Sequence, residues 1–165
     1  MIAAIHPADH PVEIHLPDAR VIGHLQADSD SRGIVIFANG VLLGGHVHIG
    51  DKVFLGGNAA VHQFVRVGEG AMIGGVSGIT RDVIPFGFAF GPRADLVGLN
   101  IIGLKRRGHS REDIHRVRRA YRDLFEGPGS FDDRVKAVTT EFAGDPVVGK
   151  IVAFIQASGS RSIMK

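Results

Sequence analysis

From Phe37 onward an apolar residue returns every six positions without a gap, at Phe37, Leu43, Ile49, Leu55, Val61, Val67, Ile73 and Ile79. An amphipathic helix repeats near 3.6 residues and a half-buried strand at two, so a sustained period of six excludes both a bundle and an ordinary open sheet here. It predicts a parallel β-helix, in which short strands stack on those of the next coil at about 4.8 Å and fill the interior with apolar side chains. The residues that follow the apolar slots are Ala38, Gly44, Gly50, Gly56, His62, Gly68, Gly74 and Thr80, mostly small, as tight corners would require. Four residues after each slot stand Val41, Val47, Val53, Ala59, Val65, Ala71, Ser77 and Val83, all compact.

The flanks are built differently. Residues 1–33 do not keep the period: Leu25 falls in register, but Ser31 takes the next slot, and His6, Pro7, His10, Pro11, His15 and Pro17 interrupt any regular element. This stretch reads as an irregular or degraded coil, and its histidines lack the spacing of a metal site. After Pro92 the period becomes helical. Ser110 and Asp113 make a capping box before the stripe Ile114, Val117, Tyr121, Leu124 and Phe125, and Gly127 stops that helix. Ser130 opens a second helix through about Phe142, and Asp145 with Pro146 opens a third carrying Ile151, Val152 and Ile155. The predicted organisation is therefore an irregular segment 1–33, a β-helix 34–92 and a helical domain 93–165 closed by three helices.

The chain of 165 residues has no cysteine, which excludes disulfides, thiolate metal sites and a cysteine nucleophile. Its hydrophobic fraction is 44%, yet no apolar run approaches the roughly 18 residues of a membrane span, so no stable membrane insertion is expected. The opening MIAAIHPADH lacks the charged start and apolar run of a secretory signal, and a cytoplasmic location is expected. The net charge of +2 is small, but basic residues concentrate between Lys105 and Arg122.

Two segments carry a more specific signal. GNAAVHQFVRVGEGAMIGGVSGITRDV, residues 57–83, and GLNIIGLKRRGHSRE, residues 98–112, closely resemble the UDP-N-acetylglucosamine O-acyltransferases of lipid A biosynthesis. The resemblance covers about Ile36 to the C-terminus. It implies a left-handed β-helix with three hexads to a triangular coil, a homotrimer with clefts between subunits, and transfer of a 3-hydroxyacyl group from acyl carrier protein to the 3-hydroxyl of UDP-N-acetylglucosamine. It implies no metal and no cofactor, and no nucleic-acid partner is expected.

By the same resemblance, the Gly45 backbone amide lies near the thioester oxygen, where a fixed donor stabilises a developing oxyanion, and His46 lies at the substrate hydroxyl. His62 and Gln63 line the sugar-nucleotide and acyl cleft, Gly75 leaves room for the acyl tail, and Asn100, Arg106 and Arg107 hold the nucleotide and its phosphates. Under an 18-residue coil, His46 and His62 fall on one face of neighbouring coils, with backbones roughly 8 Å apart. Strand alternation is expected to point both rings the same way.

The family's general base is the second histidine of an H-x-x-H pair one coil before Gly45. Counting back without gaps puts Ala27 at that position, stacked on Gly45, and His24 at the first histidine's. Alanine accepts no proton, so low turnover is expected, loss of a positioned base commonly costing about 10² to 10⁴ in rate. A non-catalytic trimeric module that binds the sugar nucleotide or the carrier protein is the alternative. A disrupted reading frame upstream would also account for the change in composition near residue 33.

Overall fold

The computed structural model describes residues 3–5, 25–27, 35–158 and 162–165. The expected irregular coil of residues 1–33 lies mostly outside them, as does His24. The strands are β1 (Ala3–Ile5), β2 (Leu25–Ala27), β3 (Val35–Phe37), β4 (Leu42–Leu43), β5 (Val47–Ile49), β6 (Phe54–Leu55), β7 (Ala60–Val61), β8 (Arg66–Val67), β9 (Met72–Ile73), β10 (Gly78–Ile79), β11 (Gly87–Phe90) and β12 (Asp95–Leu99). Each strand from β3 to β10 ends on an apolar slot, and the chain then turns onto a different sheet.

Three parallel stacks result: β3, β6, β9 and β11; β4, β7 and β10; β2, β5 and β8. Leu43 pairs with Val61, Phe37 with Leu55 and Ile49 with Val67, an offset of 18 residues and hence three hexads to a coil. Both inward columns expected from the period are buried throughout, from Phe37 and Val41 to Ile79 and Val83. Ser77 is the polar member of the second column; its hydroxyl accepts from the Gly91 amide and donates to the Gly75 carbonyl.

The small residues after the slots serve a different purpose from the one expected. Positive φ falls two positions later, at Gly40, His46, Lys52, Asn58, Phe64, Gly70 and Val76. Gly44 and Gly56 are needed for proximity instead: a Cβ on Gly44 would lie 2.4 Å from the Gln63 nitrogen, and one on Gly56 2.5 Å from the Gly75 nitrogen. The next coil's backbone occupies the space of a side chain.

At both ends of the coil the offset changes. Met72 pairs with Phe88, and the longer β11 then turns into β12, which pairs antiparallel to it in a hairpin the six-residue period did not foretell. At the other end Leu25 pairs with Val47 and Ala27 with Ile49, an offset of 22. Ala27 therefore does not stack on Gly45, and the ungapped count fails there. The sequence carries a matching sign: Ser31 takes an apolar slot, so the six-residue period that accompanies the offset of 18 is broken there.

Four helices follow rather than three: α1 (Ile101–Arg106), α2 (Arg111–Phe125), α3 (Phe131–Glu141) and α4 (Pro146–Gln156). The three expected caps are present, Ser110 with Asp113 as a reciprocal box, Ser130 accepting from the Asp133 amide, and Asp145 accepting from the Val147 and Val148 amides. The unforeseen α1 is a short helix capped by Asn100. Leu104, Val117, Leu124, Val148 and Ile151 join the coil's interior in one apolar cluster. Arg66 fastens α4 to the coil. It binds Asp82, itself 2% exposed, through its backbone amide and at 2.7 Å through Nε, and it donates to the Phe154 and Ala157 carbonyls. Residues 162–165 return to this place, with the Asp82 amide donating to the Ser162 carbonyl and the Met164 amide to the Asp82 carbonyl.

Candidate functional site

The corner that follows β4 and β7 brings together Gly45, His46, His62 and Gln63. His46 occupies the turn with φ +58, and Phe64, one coil further, repeats that conformation with φ +65. Their rings stack at 5.0 Å with planes 2° apart. The expected arrangement of two strand histidines pointing the same way is thus replaced by a corner: His46 faces its 18-residue equivalent Phe64, and His62 stands beyond the end of β7, where Gly44 stands one coil earlier. The His62 Nδ1 lies 3.2 Å from the Gln63 carbonyl, within reach to donate to it. The carbonyl of Gly45 accepts from the Phe64 amide at 2.9 Å. Apart from its chain neighbours, no atom of the described residues lies within 4 Å of where a Cβ on Gly45 would be, so the backbone there is open to an approaching group.

Beside this corner runs the outer surface of β4, β7 and β10, where Leu42, Ala60 and Gly78 succeed one another and Leu42 is 46% exposed. The far edge of that surface is the corner containing Gly75, whose missing Cβ would sit 3.2 Å from the Gly57 carbonyl oxygen. Gly57 also accepts from the Val76 amide at 2.8 Å. The strip is apolar, shallow and bounded by backbone, a surface suited to a flat or extended apolar group.

Asn100, Arg106 and Arg107 are at the third corner, away from His46 and His62 of the same chain. Asn100 spends both ends of its amide internally, donating to the Gly70 carbonyl at 3.0 Å and accepting from the Gly103 amide at 2.9 Å. Arg107 also donates to the Gly70 carbonyl, at 3.3 Å, with its guanidinium over the Phe86 ring. Burial holds its pKa below the ordinary arginine value, against an opposing effect of Glu69. A side chain at Gly70 would meet the Arg107 guanidinium, at 2.7 Å, and its φ is +66. Arg106, in contrast, is exposed. Sequence reasoning missed Phe64, Gly70 and Phe86 as partners of these residues; the signal was available in the 18-residue spacing of His46 and Phe64.

The basic group on α2 also divides. Arg116 is committed to Asp113 and, at 2.6 Å, to Asp145, and Arg119 to Glu141. The Asp145 bond holds the Arg116 pKa above the usual value. Arg118 and Arg122 have no acidic partner among the described residues. Among those residues no three histidine, aspartate or glutamate side chains could hold a metal together, and no helix is long and apolar enough to cross a membrane.

Residues 82–164 match the family model described as UDP-N-acetylglucosamine O-acyltransferase, domain 2. The chain belongs to this family. It is 43% identical over 140 residues to the acyl-(acyl-carrier-protein)-UDP-N-acetylglucosamine O-acyltransferase of Sinorhizobium fredii and 46% identical over 140 residues to that of Rhizobium johnstonii, covering 85% of this chain and 52% of each relative. The chain thus spans about half the length of the curated relatives it matches. Among solved structures of the acyltransferase family, the Arabidopsis UDP-N-acetylglucosamine acyltransferase superposes with a TM-score of 0.78 at 34% identity, over 86% of this chain and 51% of that one. The Moraxella catarrhalis UDP-N-acetylglucosamine O-acyltransferase gives 0.74 at 34% identity, over 78% and 50%.

Proposed function

We propose that the chain transfers a 3-hydroxyacyl group from acyl carrier protein to the 3-hydroxyl of UDP-N-acetylglucosamine, the first step of lipid A synthesis. It does so as a cytoplasmic homotrimer, with residues 34–92 as a left-handed β-helix and residues 93–165 as the helical domain. The observation that carries this reading is the corner at which the open Gly45 backbone and the His46, His62 and Gln63 side chains border an apolar strip.

In the reaction the sugar hydroxyl oxygen attacks the thioester carbonyl, a C–O bond forms, the C–S bond breaks, and the hydroxyl proton passes to the His46 imidazole and from it to the departing carrier thiolate. The Gly45 amide is assigned to the carbonyl oxygen as negative charge develops there. His46 is assigned to the attacking hydroxyl. It stands in a turn, directly after Gly45, with φ +58. His62 and Gln63 are assigned to the sugar, Gly75 to the acyl tail, and Arg106 to the diphosphate through its planar fork. Asn100 and Arg107 act by holding the third corner and, through it, Arg106. The two groups of residues occupy different corners of one coil, so a single cleft requires a neighbouring copy. The acidic carrier protein meets Lys105, Arg111, Arg118 and Arg122, which have no acidic partner among the described residues.

Low turnover was expected from Ala27 standing over Gly45; the offset of 22 places Ala27 beside Ile49 instead, and no described residue takes the family's base position. A thioester assay with acyl carrier protein tests the assignment. His46→Ala is expected to lower kcat/KM by about 10²-fold or more. Unchanged turnover in that variant would overturn the role of His46, and no turnover in the parent chain would overturn the transfer reading itself.

A further inference from the structure

Helix α2 uses its arginines in two ways. Arg116 and Arg119 turn toward the other helices and are neutralised there, whereas Arg118 and Arg122, one turn apart, stand with His115 along the rim of a cleft of about 360 Å³. The floor and wall of this cleft are Gly98, Leu99, Ile101 and the Tyr121 ring. The Tyr121 hydroxyl is 3.4 Å from the Leu96 carbonyl, to which it donates, so the ring is tethered. Burial pushes that hydroxyl's pKa upward, with a further push from Glu126, and Tyr121 stays neutral beside the cations. Glu126 itself does not line the cleft.

This combination is chemically selective. Two guanidinium groups separated by one helical turn can share one oxyanion, while Leu99, Ile101 and Tyr121 offer nothing to a fully hydrated ion. A volume of this size falls within the range of small-molecule sites. We propose that the cleft between β12, α1 and α2 binds an anionic amphiphile, with a phosphate or carboxylate head on Arg118 and Arg122 and a short alkyl body against Leu99, Ile101 and Tyr121. The proposal uses none of the residues assigned at the His46 and Arg106 corners, and shares Arg118 and Arg122 with the surface proposed above to meet the carrier protein.

Calorimetry on the full chain tests it with octyl phosphate and octanoate below their micellar concentrations, against inorganic phosphate and octyl glucoside. Octyl phosphate or octanoate is expected to bind, and the response of each to R118Q/R122Q tells phosphate from carboxylate preference. The double variant should weaken binding about tenfold or more, the factor equivalent to losing a hydrogen bond to a charged group. Both arginines are exposed, and an unchanged melting temperature establishes that the variant is folded. Shortening the alkyl chain from octyl to butyl should also weaken binding. Equal affinity in the double variant overturns the site, and inorganic phosphate binding as tightly as octyl phosphate reduces it to a charge patch. If intact acyl carrier protein depends on these arginines while neither amphiphile binds, the surface is a protein-docking face and the proposal fails.

Discussion

Val76 is a β-branched residue held at φ +56 and 65% exposed, so its local conformation is opposed by sterics and little burial offsets the cost. Asparagine tolerates the left-handed region without glycine's loss of chain entropy on folding. Val76→Asn is expected to stabilise the chain by about 1 kcal/mol, part of the left-handed penalty for an ordinary side chain, and thermal melting would detect it. A lower melting temperature would mean that the exposed isopropyl group makes a contact outside the single chain. Arg106 presents the opposite situation, an exposed side chain with no partner among the described residues, whose loss should leave folding alone. Arg106→Ala is expected to weaken UDP-N-acetylglucosamine binding by roughly 1.5 to 3 kcal/mol, the range for a charged hydrogen bond, with the melting temperature unchanged; calorimetry reads the first and melting the second. Equal affinity would remove Arg106 from the nucleotide site.

Among the elements, α4 depends on a titrating cap. Burial tends to raise the Asp145 pKa, but the Val148 and Val147 amides and the Arg116 guanidinium outweigh it and hold the carboxyl below its usual value. Its stabilising contribution is therefore complete above the unfolded carboxylate pKa of about 3.9 and is lost as pH falls through the lower folded value. Asp145→Ala should cost about 1 kcal/mol at pH 7, as cap removals do, and the gap between parent and variant should close below about pH 4. Melting curves of both across that range give the check; a gap independent of pH would show that the carboxylate charge contributes nothing. This helix was legible in Asp145 and Pro146, as α2 was in Ser110 and Asp113, because caps are local chemistry. By contrast, α1 was not legible: its cap, Asn100, is oriented by the Gly70 carbonyl thirty residues away in sequence. The same distinction separates the two columns of the coil, which a period of six reveals, from the close approach at Gly44, which appears only when Gln63 is laid beside it. Of the candidate site, the residue identities at the His46 corner could be read from the motifs, but the stacking on Phe64 and the internal duties of Asn100 and Arg107 depend on pairing between coils.

For the whole molecule, the proposed function makes assembly a condition of turnover, because the histidine corner and the Arg106 corner are separate in one chain. Sedimentation at micromolar concentration is expected to show a trimer, and only monomer under those conditions would count against a shared cleft. Exposed Leu42 and Phe64 near the strip are apolar groups for which a neighbouring copy would provide cover. One feature of the single chain also orders events in time. The amide and carbonyl of Asp82 pair with residues 162–165, and the Leu96 amide reaches the Lys165 carbonyl. Synthesis proceeds from the N-terminus, so during translation the coil emerges with the Asp82 amide and carbonyl still lacking these partners. Closure waits until residues 162–165 have cleared the ribosome, and a tether attached at Lys165 would hold back the segment that completes the fold.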